Sequence, residues 1–184
     1  MRFGARSAVI GLAIAAIAAC APAPTSRPDD APPWAAPSPL PLSAEILTLH
    51  NRERQRVGIA AMGWDPALAA AAAVYAQALA TSGRFAHSPR VSRPGQGENL
   101  WRGTARAYSV AEMVGGWIGE RRLFRAGIFP KVSATGQWSD VGHYSQMIWR
   151  GSTRLGCGLV SARGEDVLVC RYAPAGNVVG RAVP

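Results

Sequence analysis

Gly142–Thr153 reads GHYSQMIWRGST, and the rest of the chain is organised around this stretch. His143 opens a short segment in which Tyr144, Met147, Ile148 and Trp149 recur at helical spacing. That spacing predicts a short apolar helix with one face in a core and an imidazole in its first turn. Gly142, just before the histidine, lets another backbone or a ligand come close.

Beyond Gly151 the apolar period falls to two. Leu155, Cys157 and Leu159 alternate, as do Leu168, Cys170 and Tyr172, on either side of Arg163-Gly164. With those two residues as the turn centre, Cys157 lies opposite Cys170 and Leu159 opposite Leu168. In an oxidising compartment the two cysteines should form a disulfide. Closing so short a loop stabilises a fold by about 2–4 kcal/mol in the chain-entropy view.

Upstream, three helices are expected. The first begins at Ser43 as N-cap, carries Glu45 in its first turn, and runs past Ile46, Leu49 and His50 to Val57, where Gly58 ends it. Asp65-Pro66 caps and starts the second, whose stripe Leu68, Ala72, Tyr75, Leu79 faces the core until Ser82-Gly83 stops it. His87 then falls in the loop beyond. Ser109 and Glu112 form a capping box for the third helix, which buries Val110, Met113, Val114 and Trp117. The box gives Glu112 a structural task. Glu120, one turn past Trp117, has no such task and needs a partner. Gly115 and Gly116 weaken this helix and imply close packing there. His50 reads as a packing or hydrogen-bonding residue. Trp64, Trp101, Trp138 and Trp149 read as core aromatics with a polar edge. Glu53 and Asp140 read as surface charges, and Asn177 as the closer of a turn.

The N-terminus reads as an address. Arg2 and Arg6 precede an apolar run, Val9 to Ala19, too short to span a bilayer. Ile17-Ala18-Ala19-Cys20 resembles the lipobox of bacterial lipoproteins, in which the cysteine is acylated. Three cysteines are odd for an exported chain, and an anchor at Cys20 leaves an even pair. Ala21 follows, so nothing resembles an inner-membrane retention signal; an outer-membrane lipoprotein of a Gram-negative cell is the expectation. Residues 20–41 hold the lipidated cysteine and a linker with eight of the fourteen prolines, a composition that builds no core and extends about 3.1 Å per residue. Residues 42–184 have the size of one domain. Without residues 1–19, which carry two arginines and no acid, the net charge falls from +9 to +7. The arginines are scattered and no nucleic-acid motif accompanies them, so nucleic acid is not the expected partner; anionic lipid or cell-wall polymer is.

The stretch GHYSQMIWRGST resembles the first signature of the CAP superfamily, the SCP domain of cysteine-rich secretory proteins, insect venom allergens and plant pathogenesis-related proteins. Val167–Val178, VLVCRYAPAGNV, resembles the second. The resemblance implies an α+β fold, a three-layer α-β-α sandwich with helices flanking a small, mainly antiparallel sheet. It also implies a cavity lined by two histidines and two glutamates. These fall on His87 in AHS, Glu98 in GEN, Glu120 in WIGE and His143 in GHYSQ. The link HSPRVSRPGQGE between the first two is longer than in plant members, and Val141 stands where many eukaryotic relatives have a cysteine.

Two imidazoles and two carboxylates suit several tasks: a Zn²⁺ or other divalent-metal site, a proton-sharing pair without metal, or a structural bridge. No H-E-x-x-H, C-x-x-C or G-x-S-x-G is present, and neither Ser88 nor Ser145 is marked as a nucleophile. The leading expectation is a non-enzymatic binding module displayed on the envelope, with a lipid, sterol, cell-wall polymer or protein as ligand. The alternatives are a metal-dependent, peptidase-like hydrolase with Glu98 or Glu120 as base, and a lipid or sterol carrier.

Overall fold

The computed structural model describes residues 40–184; the expected leader, Cys20 and the linker up to residue 39 lie outside the described residues. In chain order the main elements are α1 (Leu42–Arg56), β1 (Gly63–Trp64), α2 (Pro66–Ser82), β2 (Gly97–Thr104) and α3 (Val110–Gly119). They continue with β3 (Gly127–Ile128), α4 (Gly142–Met147), β4 (Arg154–Ala162), β5 (Glu165–Ala173) and β6 (Ala182–Val183).

The hairpin β4–β5 has the register its alternation predicts. It turns on Arg163 and Gly164, both at positive φ, and pairs Cys157 with Cys170 and Leu159 with Leu168. The cysteines are joined as a disulfide. β2 adds antiparallel to β5, and the short β1 adds parallel to β4, giving the order β1-β4-β5-β2. A separate two-stranded ribbon pairs β3 with β6.

Each face of the sheet is covered, so the fold is a three-layer α-β-α sandwich. On one face Ile46 of α1, Met113, Val114 and Trp117 of α3 and Met147 of α4 bury Leu155, Leu168, Cys170 and Tyr172. On the other, Ala72, Ala76, Leu79 and Ala80 of α2 cover Leu100, Val167 and Val169. The alanines of α2 have a geometric reason. A Cβ on Gly156 would stand 2.2 Å from the Ala69 amide nitrogen, and one on Gly158 would stand 2.4 Å from the Ala73 backbone. Helix and strand approach backbone to backbone, which larger side chains on either would prevent. A third cluster, including Phe129, Val141, Tyr144, Ile148 and Trp149, fills the space beneath the β3–β6 ribbon.

The caps follow the sequence in two of three helices. Asp65 accepts from the amides of Ala67 and Leu68, with Pro66 in the first turn, and Gly83 closes α2 in the left-handed region. Ser109 and Glu112 form the capping box of α3. Ser43, by contrast, is not the cap of α1. The helix starts two residues earlier, at Leu42 with Pro41 in the N-cap position and no side-chain cap. Close packing at Gly115 and Gly116 is not found: Gly115 faces open space, and Gly116 only reaches the Trp101 ring at 4.0 Å. The packed side of α3 is the one bearing Met113, Val114 and Trp117. Glu53 is no surface charge. It is buried between α1 and the turn after α3, paired with Arg56 and with Arg121, each at 3.0 Å. Asp140 is exposed and accepts from the Thr135 hydroxyl. Trp138 is not a core residue: it is 47% exposed and stands edge-on to the buried Phe129. Among the described residues no helix is long and apolar enough to cross a membrane.

Candidate functional site

Helix α4 is only six residues long and is fixed at both ends by side chains from elsewhere. At its start the amides of His143 and Tyr144 both donate to Glu120 Oε2, each at 3.0 Å. Glu120 thus fills two of the donors a helix N-terminus leaves unpaired. Its other oxygen, Oε1, lies 2.5 Å from His143 Nδ1. At its last residue and just beyond, Arg54 donates to the carbonyls of Met147 (3.1 Å), Trp149 (2.9 Å) and Ser152 (3.0 Å), and its Nε reaches the carbonyl of Ala60 (2.8 Å). Arg54 is buried, and that burial lowers its pKa to about 10, which leaves it charged at neutral pH. The imidazole of His143 also stacks on Trp117, with centroids 5.9 Å apart and planes 18° from parallel.

The second histidine is held in the same manner. His87 Nδ1 lies 2.9 Å from Glu98 Oε1. Glu98, on β2, is fully buried at its side chain and receives the Ser88 amide (2.9 Å) and the Ser88 hydroxyl (2.8 Å). Arg171 Nε sits 3.0 Å from Glu98 Oε2, off the line of a hydrogen bond, so this pairing is one of charge. Burial alone would raise the Glu98 carboxyl. The bonds from His87 and Ser88, together with the Arg171 charge, outweigh it and hold the group below its ordinary value.

An ionised carboxylate only accepts, so in each pair Nδ1 carries a proton, and when the ring is neutral Nε2 is its acceptor. Among the described residues neither Nε2 makes a hydrogen bond. Both histidines line one cleft of about 570 Å³, together with Asn99, Phe129, Trp138 and Gln146 among others. Glu120 stands behind His143 and does not line it. A glycine is required at 97 by close approach: a Cβ there would lie 2.1 Å from Gln146 Oε1. Asn177, at positive φ as a turn residue, also ties the C-terminal loop to α4 through Gly142 O (2.8 Å) and the Ser145 hydroxyl (2.7 Å).

All four expected residues therefore occur as two His–Glu pairs, with both rings at one cleft. Sequence reasoning missed Arg171, Arg93 and Ser88 around Glu98, Trp117 beneath His143, and Arg54 behind α4. Only Arg54 left a local signal, being one helical turn from the buried His50 on the same face. Ser145 is not set against a histidine; its hydroxyl donates to Asn177 and Gly142.

Residues 47–172 match the family model described as CAP, the cysteine-rich secretory protein family. The chain belongs to the CAP family. Pathogenesis-related protein 1C of Nicotiana tabacum is 36% identical over 140 residues, covering 75% of this chain and 78% of that protein. Pathogenesis-related protein 1 of Arabidopsis thaliana is 34% identical, covering 75% and 83%. Solved CAP folds agree. NaASP2 with Zn²⁺ superposes with a TM-score of 0.63 at 24% identity, covering 86% of this chain and 89% of that one. A Bacillus anthracis extracellular protein with an SCP domain gives 0.50 at 19%, covering 72% and 40%.

The Zn²⁺ in the NaASP2 structure prompts a test of fit in this CAP chain. Both carboxylates are already engaged, by Ser88, Arg171 and His87 on one side and by two amides and His143 on the other. Among the described residues no group of three or more His, Cys, Asp or Glu side chains is placed to hold a metal ion. The four residues thus do not form a four-ligand metal set.

Proposed function

We propose that this CAP domain is a non-catalytic ligand-binding module displayed on the cell envelope by a lipid on Cys20, and that its recognition surface is the cleft bearing His87 and His143. The observation that carries the proposal is the locking of each imidazole through Nδ1 by a carboxylate whose other acceptor positions are filled. Such rings are held through Nδ1 and leave Nε2 for a ligand. A carboxylate held below its ordinary pKa by three donors is a weak general base, which argues against Glu98 in a hydrolytic role. Glu120 is equally occupied.

A fragment screen read by histidine and amide NMR tests the site. Binders should gather on His87, His143 and Trp138, and His87→Ala or His143→Ala should weaken them. Hits concentrated elsewhere on the domain contradict the assignment. The hydrolase alternative predicts turnover that Glu98→Gln and Glu120→Gln abolish. The anchor has a separate test: Cys20→Ser should release the protein from membranes, and persistent attachment contradicts lipidation.

A second reading has one observation in its favour. A carboxylate hydrogen-bonded to Nδ1 of a histidine is the usual support of a histidine that binds metal through Nε2. Two such imidazoles would supply half of a tetrahedral set, with solvent or ligand completing it. Metal analysis of the purified protein, compared with the His87→Ala/His143→Ala variant, decides this: stoichiometric zinc lost in the variant supports it, and metal-free protein contradicts it.

A further inference from the structure

We propose that the cleft selects a pyranose that carries a carboxylate; this rests on the cleft being the binding surface. Three features of the lining converge on that chemistry. The first is charge. Arg90, from the Pro- and Arg-bearing segment that separates His87 from Glu98, lines the cleft, is exposed, and has no side-chain partner among the described residues. Arg93 beside it is committed to the carbonyls of Ser88 (3.2 Å) and Gln96 (2.6 Å). The carboxylate in the lining, Glu98, is fully buried at its side chain and matched by Arg171 and His87. The cleft therefore offers an unspent guanidinium, whose planar fork suits a carboxylate.

The second feature is the pair of acceptors. With Nδ1 of His87 and of His143 given to glutamates, each Nε2 asks for a donor, and a neutral sugar hydroxyl is one. A neutral ring meets an anion with a lone pair, so the anionic group fits Arg90 and the hydroxyls fit the imidazoles, on different parts of one ligand. The third feature is the wall. Trp138 is 47% exposed at the cleft and stands edge-on to Phe129, and Pro130 and Val179 add to the apolar lining. An exposed indole in a cleft is a platform for a flat face of C–H bonds, as a pyranose ring has. The polar amides nearby do not compete for the ligand: Gln146 bonds to Ser152 and the Gly176 amide, and Asn177 to Ser145 and Gly142. The volume, about 570 Å³, lies within the range of small-ligand sites, roughly 300–1,000 Å³.

Such a sugar acid has two sources in an envelope, the lactyl ether of muramic acid and the uronic acids of surface glycans. Isothermal titration of the full chain with matched pairs tests the inference and separates them: N-acetylmuramic acid against N-acetylglucosamine, and glucuronate against glucose. At least one acid should bind about tenfold or more tighter than its neutral partner, as expected of a charge-assisted bond. Whichever pair shows the larger ratio names the source. Arg90→Gln should lower the acid to the level of the neutral sugar, Arg90→Lys should recover part of the difference, and Trp138→Ala should weaken both. Arg90 is exposed, so these variants should fold. Equal binding of acid and neutral sugar, no binding of either acid, or a preference that survives Arg90→Gln overturns the inference. Equal binding that disappears in Trp138→Ala leaves the cleft as the binding surface and removes only the acid selectivity.

Discussion

Glu120 grips His143 twice: one carboxylate oxygen faces Nδ1 of its ring at 2.5 Å, and the other accepts its backbone amide at 3.0 Å. One side chain thus starts helix α4 and sets the direction of the imidazole at its first turn. Structure and site are coupled through a single residue.

The coupling predicts a joint defect. Glu120→Ala should cost about 1–3 kcal/mol, the usual penalty for unmet buried donors, in urea unfolding. The same variant should broaden or shift the His143 ring resonances while leaving His87 unchanged. Full stability together with an unmoved His143 signal would contradict the double role.

Arg54 predicts a larger loss. Its guanidinium satisfies four carbonyls, those of Ala60, Met147, Trp149 and Ser152. Arg54→Met fills a similar volume and leaves those acceptors without donors, so the cost should be about 3–5 kcal/mol by denaturant midpoint. A loss below about 1 kcal/mol would mean that water replaces the guanidinium at no penalty.

The disulfide contributes through the unfolded chain. Cys157 and Cys170 are separated by 13 positions, and a loop of that length corresponds to about 3 kcal/mol of closure entropy. Cys157→Ala/Cys170→Ala should lower stability by about 2–4 kcal/mol with the β4–β5 register intact by amide exchange. Equal stability of the variant and the oxidised wild type would contradict this.

His50 predicts an acid-side loss. Burial is the largest cause lowering its pKa from 6.5 to about 4; Nδ1 bonds the Ile46 carbonyl and Nε2 the Tyr172 hydroxyl. The folded state holds the ring neutral while the unfolded chain protonates it near 6.5. The contribution is therefore complete above pH 6.5 and disappears as the pH falls toward 4, by up to about 3 kcal/mol. Between pH 7 and 4.5, His50→Phe should lose less stability than the wild type. Parallel curves would assign the loss to other groups.

Local order was legible in the sequence, and long-range pairing was not. The register of β4–β5 followed from a period of two and a turn at Arg163-Gly164, which together fix what faces what. Asp65 and Ser109 could be read as caps because their partners lie within three residues. Glu53 could not be read correctly, because its burial depends on Arg121, 68 residues away. The same holds for Arg171, whose place on a strand says nothing about Glu98 on the neighbouring one. Ser43 failed as a cap because the helix extends two residues further, to start directly after Pro41. The four site residues came from motif resemblance, and the structure adds what the motifs lack: which glutamate holds which histidine.

Long-range nitrogen NMR of the histidine rings, recorded on the full chain at neutral pH, tests that arrangement most directly. His87 and His143 should both carry a proton at Nδ1, the nitrogen that faces a glutamate. Glu98→Gln should disturb only the first ring and Glu120→Gln only the second. Finding Nδ1 bare in either ring, or a response of both rings to one glutamate, would contradict two separate His–Glu pairs facing a common cleft.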